Sequence, residues 1–266
     1  MFVKEITIQY IKLFYILFKH WFRDLFASFT NSPPLKNLNS EIILITGAAS
    51  GLGKGLAQRL ASLGCTLILW DVDEVNNARV ANELNNATKS ERIHAMKCDL
   101  TNRESIYECA RKVQEKFGNV TMIINNAGVV TGKPLVNCSD ASIQRTFDVN
   151  VIAHFWILKA FLPSMLDNNY GHIVTIASGA GLTGASGLVD YCSSKFAAVG
   201  LHEALTHELY VLKKTGIKTT VVCPSFIDTV IFLLLCETSI SSTAAQVEIQ
   251  GTTGLHNSMD TFVGRQ

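Results

Sequence analysis

From Glu41 onward, short apolar runs alternate with longer stretches whose apolar residues recur at helical spacing. Segments 42–46, 66–70, 93–98, 120–125, 172–177 and 217–223 are apolar over most of their length and do not alternate with polar residues. That is the pattern of parallel strands covered on both faces. Between them, Leu52, Leu56, Leu60 and Leu63 fall on one helical stripe, with Gly64 as a C-terminal stop. Thr101 with Glu104 three residues later predicts a capping box. Six strands with helices between them predict an α/β domain over 41–229: a doubly wound parallel sheet, the Rossmann fold.

The first thirty residues break this pattern. Residues 2–29 are rich in Phe, Ile, Leu, Tyr and Trp, and charged residues, among them Glu5, Lys12, Lys19 and Arg23, interrupt them. At about 100° per residue these four share one face, and the remaining surface is almost wholly apolar. Such a helix suits a membrane interface with its lysines reaching the headgroups, so residues 1–30 are predicted to be a hydrophobic membrane helix in contact with lipid; a tilted spanning helix, or a helix packed on the domain or a partner, is the alternative. Residues 31–40 are polar and contain Pro33 and Pro34, the composition of a linker.

Composition removes several alternatives. With 48% hydrophobic residues and a net charge of +1, the chain is neither disordered nor drawn to nucleic acid by bulk charge. The seven cysteines form no C-x-x-C pair and are odd in number, so they are expected to be reduced and cytosolic. No metal site is expected, since the seven histidines form no ligand-like cluster.

Chemistry first appears where the first strand ends. Thr46-Gly47-Ala48-Ala49-Ser50-Gly51-Leu52-Gly53 leads directly into a helix. Glycines there let a phosphate approach the backbone, and the helix aims its N–H groups at that phosphate. Asp71 closes the second strand. A carboxylate there accepts from ribose hydroxyls and repels a 2′-phosphate, and no Lys or Arg follows directly to offset it, so NAD is expected in preference to NADP.

Four further features follow in order. They are Asn125-Asn126-Ala127-Gly128, Asn150, Ser178, and Tyr191 with Lys195 four residues on. With the glycine turn, this ordered set resembles the short-chain dehydrogenase/reductase family over residues 41–229. Leu69-Trp70-Asp71, Val129-Val130-Thr131-Gly132-Lys133 and Gly216-Ile217-Lys218-Thr219-Thr220 look like its membrane-bound group 16C, the epidermal retinal dehydrogenases and lipid-droplet 17-beta-hydroxysteroid dehydrogenases. The resemblance implies that Gly47, Ser50, Gly51, Leu52 and Gly53 line the pyrophosphate and Asp71 the ribose. It puts Asp99 and Leu100 at the adenine, Asn125 and Ala127 along the adenosine half, and Thr229 near the nicotinamide carboxamide.

It also implies roles in catalysis. Tyrosine, with an ordinary pKa near 10, is a poor base at neutral pH. Lys195 shares its helix face, and its ammonium is expected to stabilise tyrosinate, making Tyr191 the general base. Ser178 steadies the developing alkoxide, Lys195 also holds the nicotinamide ribose, and Asn150 positions a water that links Lys195 to solvent.

The family pattern is not followed throughout. Pro224-Ser225 replaces the usual Pro-Gly, and 230–266 resembles a shortened, irregular C-terminal region. Loss of a covering lid and a last strand would expose the sixth strand and weaken exclusion of water. The leading expectation is NAD-dependent oxidation of a lipophilic alcohol, retinol to retinal, with a retinoid or steroid alcohol or ketone as substrate partner. A 17-beta-hydroxysteroid dehydrogenase and a catalytically silent nucleotide-binding membrane protein are the alternatives. The resemblance implies an endoplasmic reticulum or lipid-droplet membrane, with the domain facing the cytosol, and is compatible with a homodimer.

Overall fold

A computed structural model describes residues 36–224. The expected membrane helix 1–30, most of the 31–40 linker, Thr229 and the 230–266 region lie outside the described residues. The chain divides into two units, Met1–Asn37 and Leu38–Gln266; the architecture below is that of the second.

Six parallel strands form one sheet in the order β3-β2-β1-β4-β5-β6. They are β1 (Ile42–Thr46), β2 (Thr66–Asp71), β3 (Ile93–Lys97), β4 (Met122–Asn125), β5 (Gly171–Ile176) and β6 (Ile217–Val222). The helices are α1 (Gly51–Ala61), α2 (Glu74–Thr88), α3 (Arg103–Phe117), α4 (Asp140–Phe147), α5 (Ala153–Asn168) and α6 (Val189–Val211), with a π-helical turn, Asp148–Ile152, between α4 and α5. All six expected strands form, with ends shifted by up to two residues.

The inner strands β1, β2 and β4 are almost wholly apolar because both faces are covered. Leu44, Ile68 and Ile123 point to one side, where Ile106 and Val113 of α3 and Ile157 and Phe161 of α5 meet them. Their neighbours Ile43, Ile45, Leu67 and Leu69 point to the other, against Ala57 of α1 and Val80 of α2. Trp70 and Phe161 are both fully buried, with ring centres 6.0 Å apart; truncating Phe161 to Ala would cost about 3–5 kcal/mol. The continuous helical segment Asp140–Asn168 is long and apolar enough to cross a membrane, but half of its most apolar stretch is buried in the protein. Ile157, Phe161 and Met165 supply that apolarity as core.

Two local expectations fail. Asn102, not Thr101, caps α3, accepting from Ser105 N at 2.9 Å. Thr101 turns back to donate to Asp99 Oδ1 at 2.7 Å. In α1 the buried residues are Gly53, Ala57 and Ala61; Leu52, Leu56 and Leu60 flank them, and Leu63 lies past the helix end, exposed. Small residues let α1 sit close to the sheet, and the leucines pack at the sides. Among the described residues β6 pairs only with β5, and its exposure alternates as an edge strand's does.

The strand order sets the site. β1, β2 and β3 progress toward one edge, and the chain then crosses back to place β4 on the other side of β1. The connections after β1 and β4 therefore leave the sheet in opposite directions, opening a crevice at the strands' carboxyl ends.

Candidate active site

A cleft of about 970 Å³ occupies that crevice. Its floor is the turn after β1. Gly47 has φ +66, and a Cβ there would stand 2.8 Å from Ala127 Cα. A Cβ on Gly53 would stand 2.1 Å from the Gly47 carbonyl oxygen. These two positions hold β1, α1 and β4 so close that only hydrogen fits. Ser50 precedes α1 in extended backbone without capping it through its side chain, and the first turn carries no acidic residue. The opening N–H groups of α1 are thus left for an anion in the cleft.

Thr46 and Asn126 fasten the turn to β4. Thr46 Oγ1 accepts from Asn126 N and Ala127 N, each at 3.0 Å, while Asn126 Nδ2 donates to Thr46 O at 2.8 Å. Asp71 lies at the far wall, its carboxylate accepting from Ala49 N and Asp73 N, each at 2.9 Å. It does not cap α2, a role taken by Asp73. Asp99 and Leu100, after β3, complete this end of the cleft.

At the other end stand Ser178, Tyr191 and Lys195. Ser178 follows β5 and accepts from Ala180 N at 3.1 Å, so its hydroxyl hydrogen donates on the cleft side, where the Tyr191 phenol stands. Lys195 is 3% exposed, and Nζ donates to the Ile176 carbonyl at 3.0 Å. Burial lowers its pKa to about 8. Burial also raises the Tyr191 phenol, partly offset by the Ser178 hydroxyl.

Lys195 Nζ is 5.7 Å from the ring centre, and desolvation is the largest influence on the phenol.

Gly47, Ser50, Gly51, Leu52, Gly53, Asp71, Asp99, Leu100, Ala127, Ser178, Tyr191 and Lys195 all line the one cleft. Asn125 does not. It is fully buried in β4, with neither side-chain amide atom hydrogen-bonded; Asn126, one residue later, reaches the turn. Asn150 also stands behind the cleft. Its Oδ1 accepts from Val129 N at 2.8 Å, and Nδ2 donates to Val129 O at 3.0 Å and Ser194 Oγ at 2.9 Å. Both of its N–H donors and one acceptor position of its oxygen join the loop after β4 to α6. Asn126 and Val129, quoted in the motifs without a role, and Arg145, not noted in the sequence, also line the cleft. Among the described residues no cluster of three metal-ligating side chains occurs. A second groove of about 710 Å³, beside His94, Lys116 and Phe117, holds none of these groups.

The residues present fit a dinucleotide. A cradle closed to any Cβ, uncapped helix N–H groups and a carboxylate at the β2 terminus suit a pyrophosphate and its ribose. The opposite end offers a hydroxyl donor, a phenol and an ammonium.

The short chain dehydrogenase family model matches residues 41–235. Epidermal retinol dehydrogenase 2 of Homo sapiens is 48% identical over 223 residues, covering 83% of this chain and 72% of that protein. Short-chain dehydrogenase/reductase family 16C member 6 of Bos taurus is 50% identical, covering 74% and 62%. Estradiol 17-beta-dehydrogenase 11 of Homo sapiens is 47% identical, covering 73% and 64%. The chain thus spans about two thirds of the length of these curated relatives. Among solved structures, a short chain dehydrogenase/reductase from Burkholderia phymatum in complex with NAD aligns with a TM-score of 0.70 at 35% identity, over 74% of this chain and 69% of that one. A metagenomic short-chain oxidoreductase in complex with NADP aligns at 0.66 and 29%, over 72% and 85%.

Proposed function

We propose that this chain, which belongs to the short chain dehydrogenase family, oxidises a lipophilic alcohol with NAD, retinol to retinal being the leading case. One observation carries the reading: Ser178, Tyr191 and Lys195 share a single cleft with the glycine cradle. In this reading Gly47, Ser50, Gly51, Leu52 and Gly53 hold the pyrophosphate, Asp71 the ribose, and Asp99, Leu100 and Ala127 the adenosine half. When bound, the oxidised nicotinamide accepts a hydride.

The protein's own groups then handle the proton. Ser178 donates to the alcohol oxygen and stabilises the charge that grows there as the hydride leaves. Tyr191 takes the hydroxyl proton. Burial leaves the phenol a weak base, so positive charge close to it must lower its pKa during turnover. Lys195 is one such charge, and two of its three N–H donors remain for ribose hydroxyls once the Ile176 bond is made. Asn150 acts by holding Val129 and Ser194, and so the loop and helix beside the phenol.

The names of the relatives support a retinoid, and estradiol 17-beta-dehydrogenase 11 supports a steroid alcohol as the second reading. The apolar N-terminal segment supports attachment to the endoplasmic reticulum or a lipid droplet, where such substrates dissolve. The test is the full chain in membranes with NAD, presented with all-trans-retinol and a panel of steroid alcohols. NADH should appear with retinol, and Tyr191→Phe should abolish turnover while still binding NAD. NAD binding with no oxidation of any alcohol would identify a silent nucleotide-binding protein instead.

A further inference from the structure

Asp190 precedes Tyr191 in the first turn of α6, where an acidic side chain is favoured by the helix dipole and ordinarily faces water. This one is 3% exposed. Its Oδ2 accepts from Thr131 Oγ1 at 2.6 Å and from Thr146 Oγ1 at 3.0 Å. The Thr146 hydrogen is shared with the Ser142 carbonyl at 2.9 Å, and the two threonine hydroxyls lie 3.4 Å apart. The second carboxylate oxygen, Oδ1, is buried without a partner.

A buried carboxylate with one oxygen unpartnered is costly, and a solvent-facing acid would serve the helix dipole as well. What the arrangement achieves is convergence. Thr131 lies in the loop after β4, whose Gly128 and Val129 line the cleft; Thr146 belongs to α4; Asp190 sits between Leu188 and Tyr191, both cleft residues. Asn150 ties the same loop to the same helix at Val129 and Ser194. The loop and the Tyr191 turn are therefore pinned at two points.

We propose that Asp190 is a positioning residue: through Thr131 and Thr146 it locks the loop after β4 and α4 to the turn that carries Tyr191, fixing the phenol against the cleft wall. Its consequence for turnover rests on the alcohol-oxidation reading above; the lock itself does not.

Two measurements on the full chain separate these. Backbone amide exchange over residues 128–133 and 189–195, in protein without nucleotide, reports the lock. Asp190→Ala should speed exchange in both segments about tenfold, as loss of a buried hydrogen-bond centre does, with β1–β3 unchanged. Asp190→Asn, which keeps a carbonyl acceptor, should restore most of the protection, and Thr131→Val should give a smaller loss that survives if Asp190→Ala does not fold. Steady-state kinetics then report the consequence: kcat for the alcohol should fall about tenfold in Asp190→Ala, with the KM for NAD within about twofold and partial recovery in Asp190→Asn. Unaltered exchange in both segments for Asp190→Ala and Thr131→Val would overturn the proposal, as would a fall in kcat not eased by Asn. A wild-type chain that shows the exchange pattern but oxidises no alcohol supports the lock and removes the oxidation reading alone.

Discussion

Lys195 Nζ stands 5.7 Å from the centre of the Tyr191 ring, one helical turn further along α6. Burial moves the two groups in opposite directions, the phenol upward and the ammonium down to about 8, so both resist carrying charge. A cation at this range still favours tyrosinate over phenol. Oxidation needs the deprotonated phenol and should rise with pH, while carbonyl reduction needs the protonated form and should fall. Removing the cation raises the phenol pKa, so Lys195→Met should move the rising limb of kcat/KM to higher pH by at least about one unit, the lower end of what an opposite charge contributes. A pH–rate series for the two proteins checks this; a limb that stays in place would detach Lys195 from the ionisation of Tyr191.

The glycine cradle makes a sharper steric prediction. A Cβ on Gly53 would press to 2.1 Å from the Gly47 carbonyl, whereas one on Gly55 would meet nothing within 4 Å. Gly53→Ala must push β1 from α1 and should weaken NAD binding at least about tenfold, near 1.4 kcal/mol. Gly55→Ala sits in a helix interior with open space and should stabilise the fold by about 0.4–1 kcal/mol while leaving NAD binding intact. Fluorescence titration with NAD and thermal unfolding of both variants measure the contrast.

The strands and the cleft were legible because each has a one-dimensional signature. Ile43, Leu44 and Ile45 are all apolar because consecutive side chains enter two different cores. Gly47 and Gly53 mark positions where backbone meets backbone. What was not legible depends on neighbours distant in sequence. Asn125 and Asn126 are chemically identical, but strand geometry points one into the sheet and the other at Thr46. Thr101 and Asn102 can both cap a helix, and Asp99 claims the threonine. The bond from Asp190 to Thr131 spans 59 positions, and nothing in the local pattern of α6 announces it.

Asp71 governs the choice between the two dinucleotides if its carboxylate faces the adenosine ribose. Both of its oxygens accept backbone N–H groups, which fix it at the cleft wall. A 2′-phosphate would meet a fixed negative charge there. Asp71→Ala should therefore lower the ratio of kcat/KM for NAD to that for NADP by at least about tenfold, a difference of roughly 1.4 kcal/mol. Part of that change should come from weaker NAD use, because Ala49 N and Asp73 N lose their acceptor. Kinetics with each dinucleotide at fixed alcohol provide the ratio, and an unchanged ratio would place the ribose elsewhere.

Two histidines set the acid limit of the fold. His154 is 2% exposed and His202 is 4% exposed. Burial lowers their pKa values to about 3 and about 4, with Lys195 adding to the effect on His154 and His172 to that on His202. Both fold as neutral rings, and His202 Nδ1 pairs with Thr175 Oγ1 at 2.9 Å. In the unfolded chain each titrates near 6.5, so between that value and the folded pKa the unfolded state binds more protons. The stability each contributes is complete above pH 6.5 and drains as pH falls toward 4 or 3, at up to about 1.4 kcal/mol per pH unit per histidine. Carboxylates have not begun to protonate appreciably between pH 6.5 and 5.5, so that interval isolates the histidines. Urea unfolding across it should show the wild type weakening by more than one histidine alone explains. His154→Leu, which removes a ring whose Nδ1 has no partner, should lessen the slope without a large loss at pH 7.5, with His202 and His94, whose pKa burial also lowers, carrying the rest. An unchanged slope in that variant would mean that His154 is already protonated in the folded protein, and its buried neutral state would have to be abandoned.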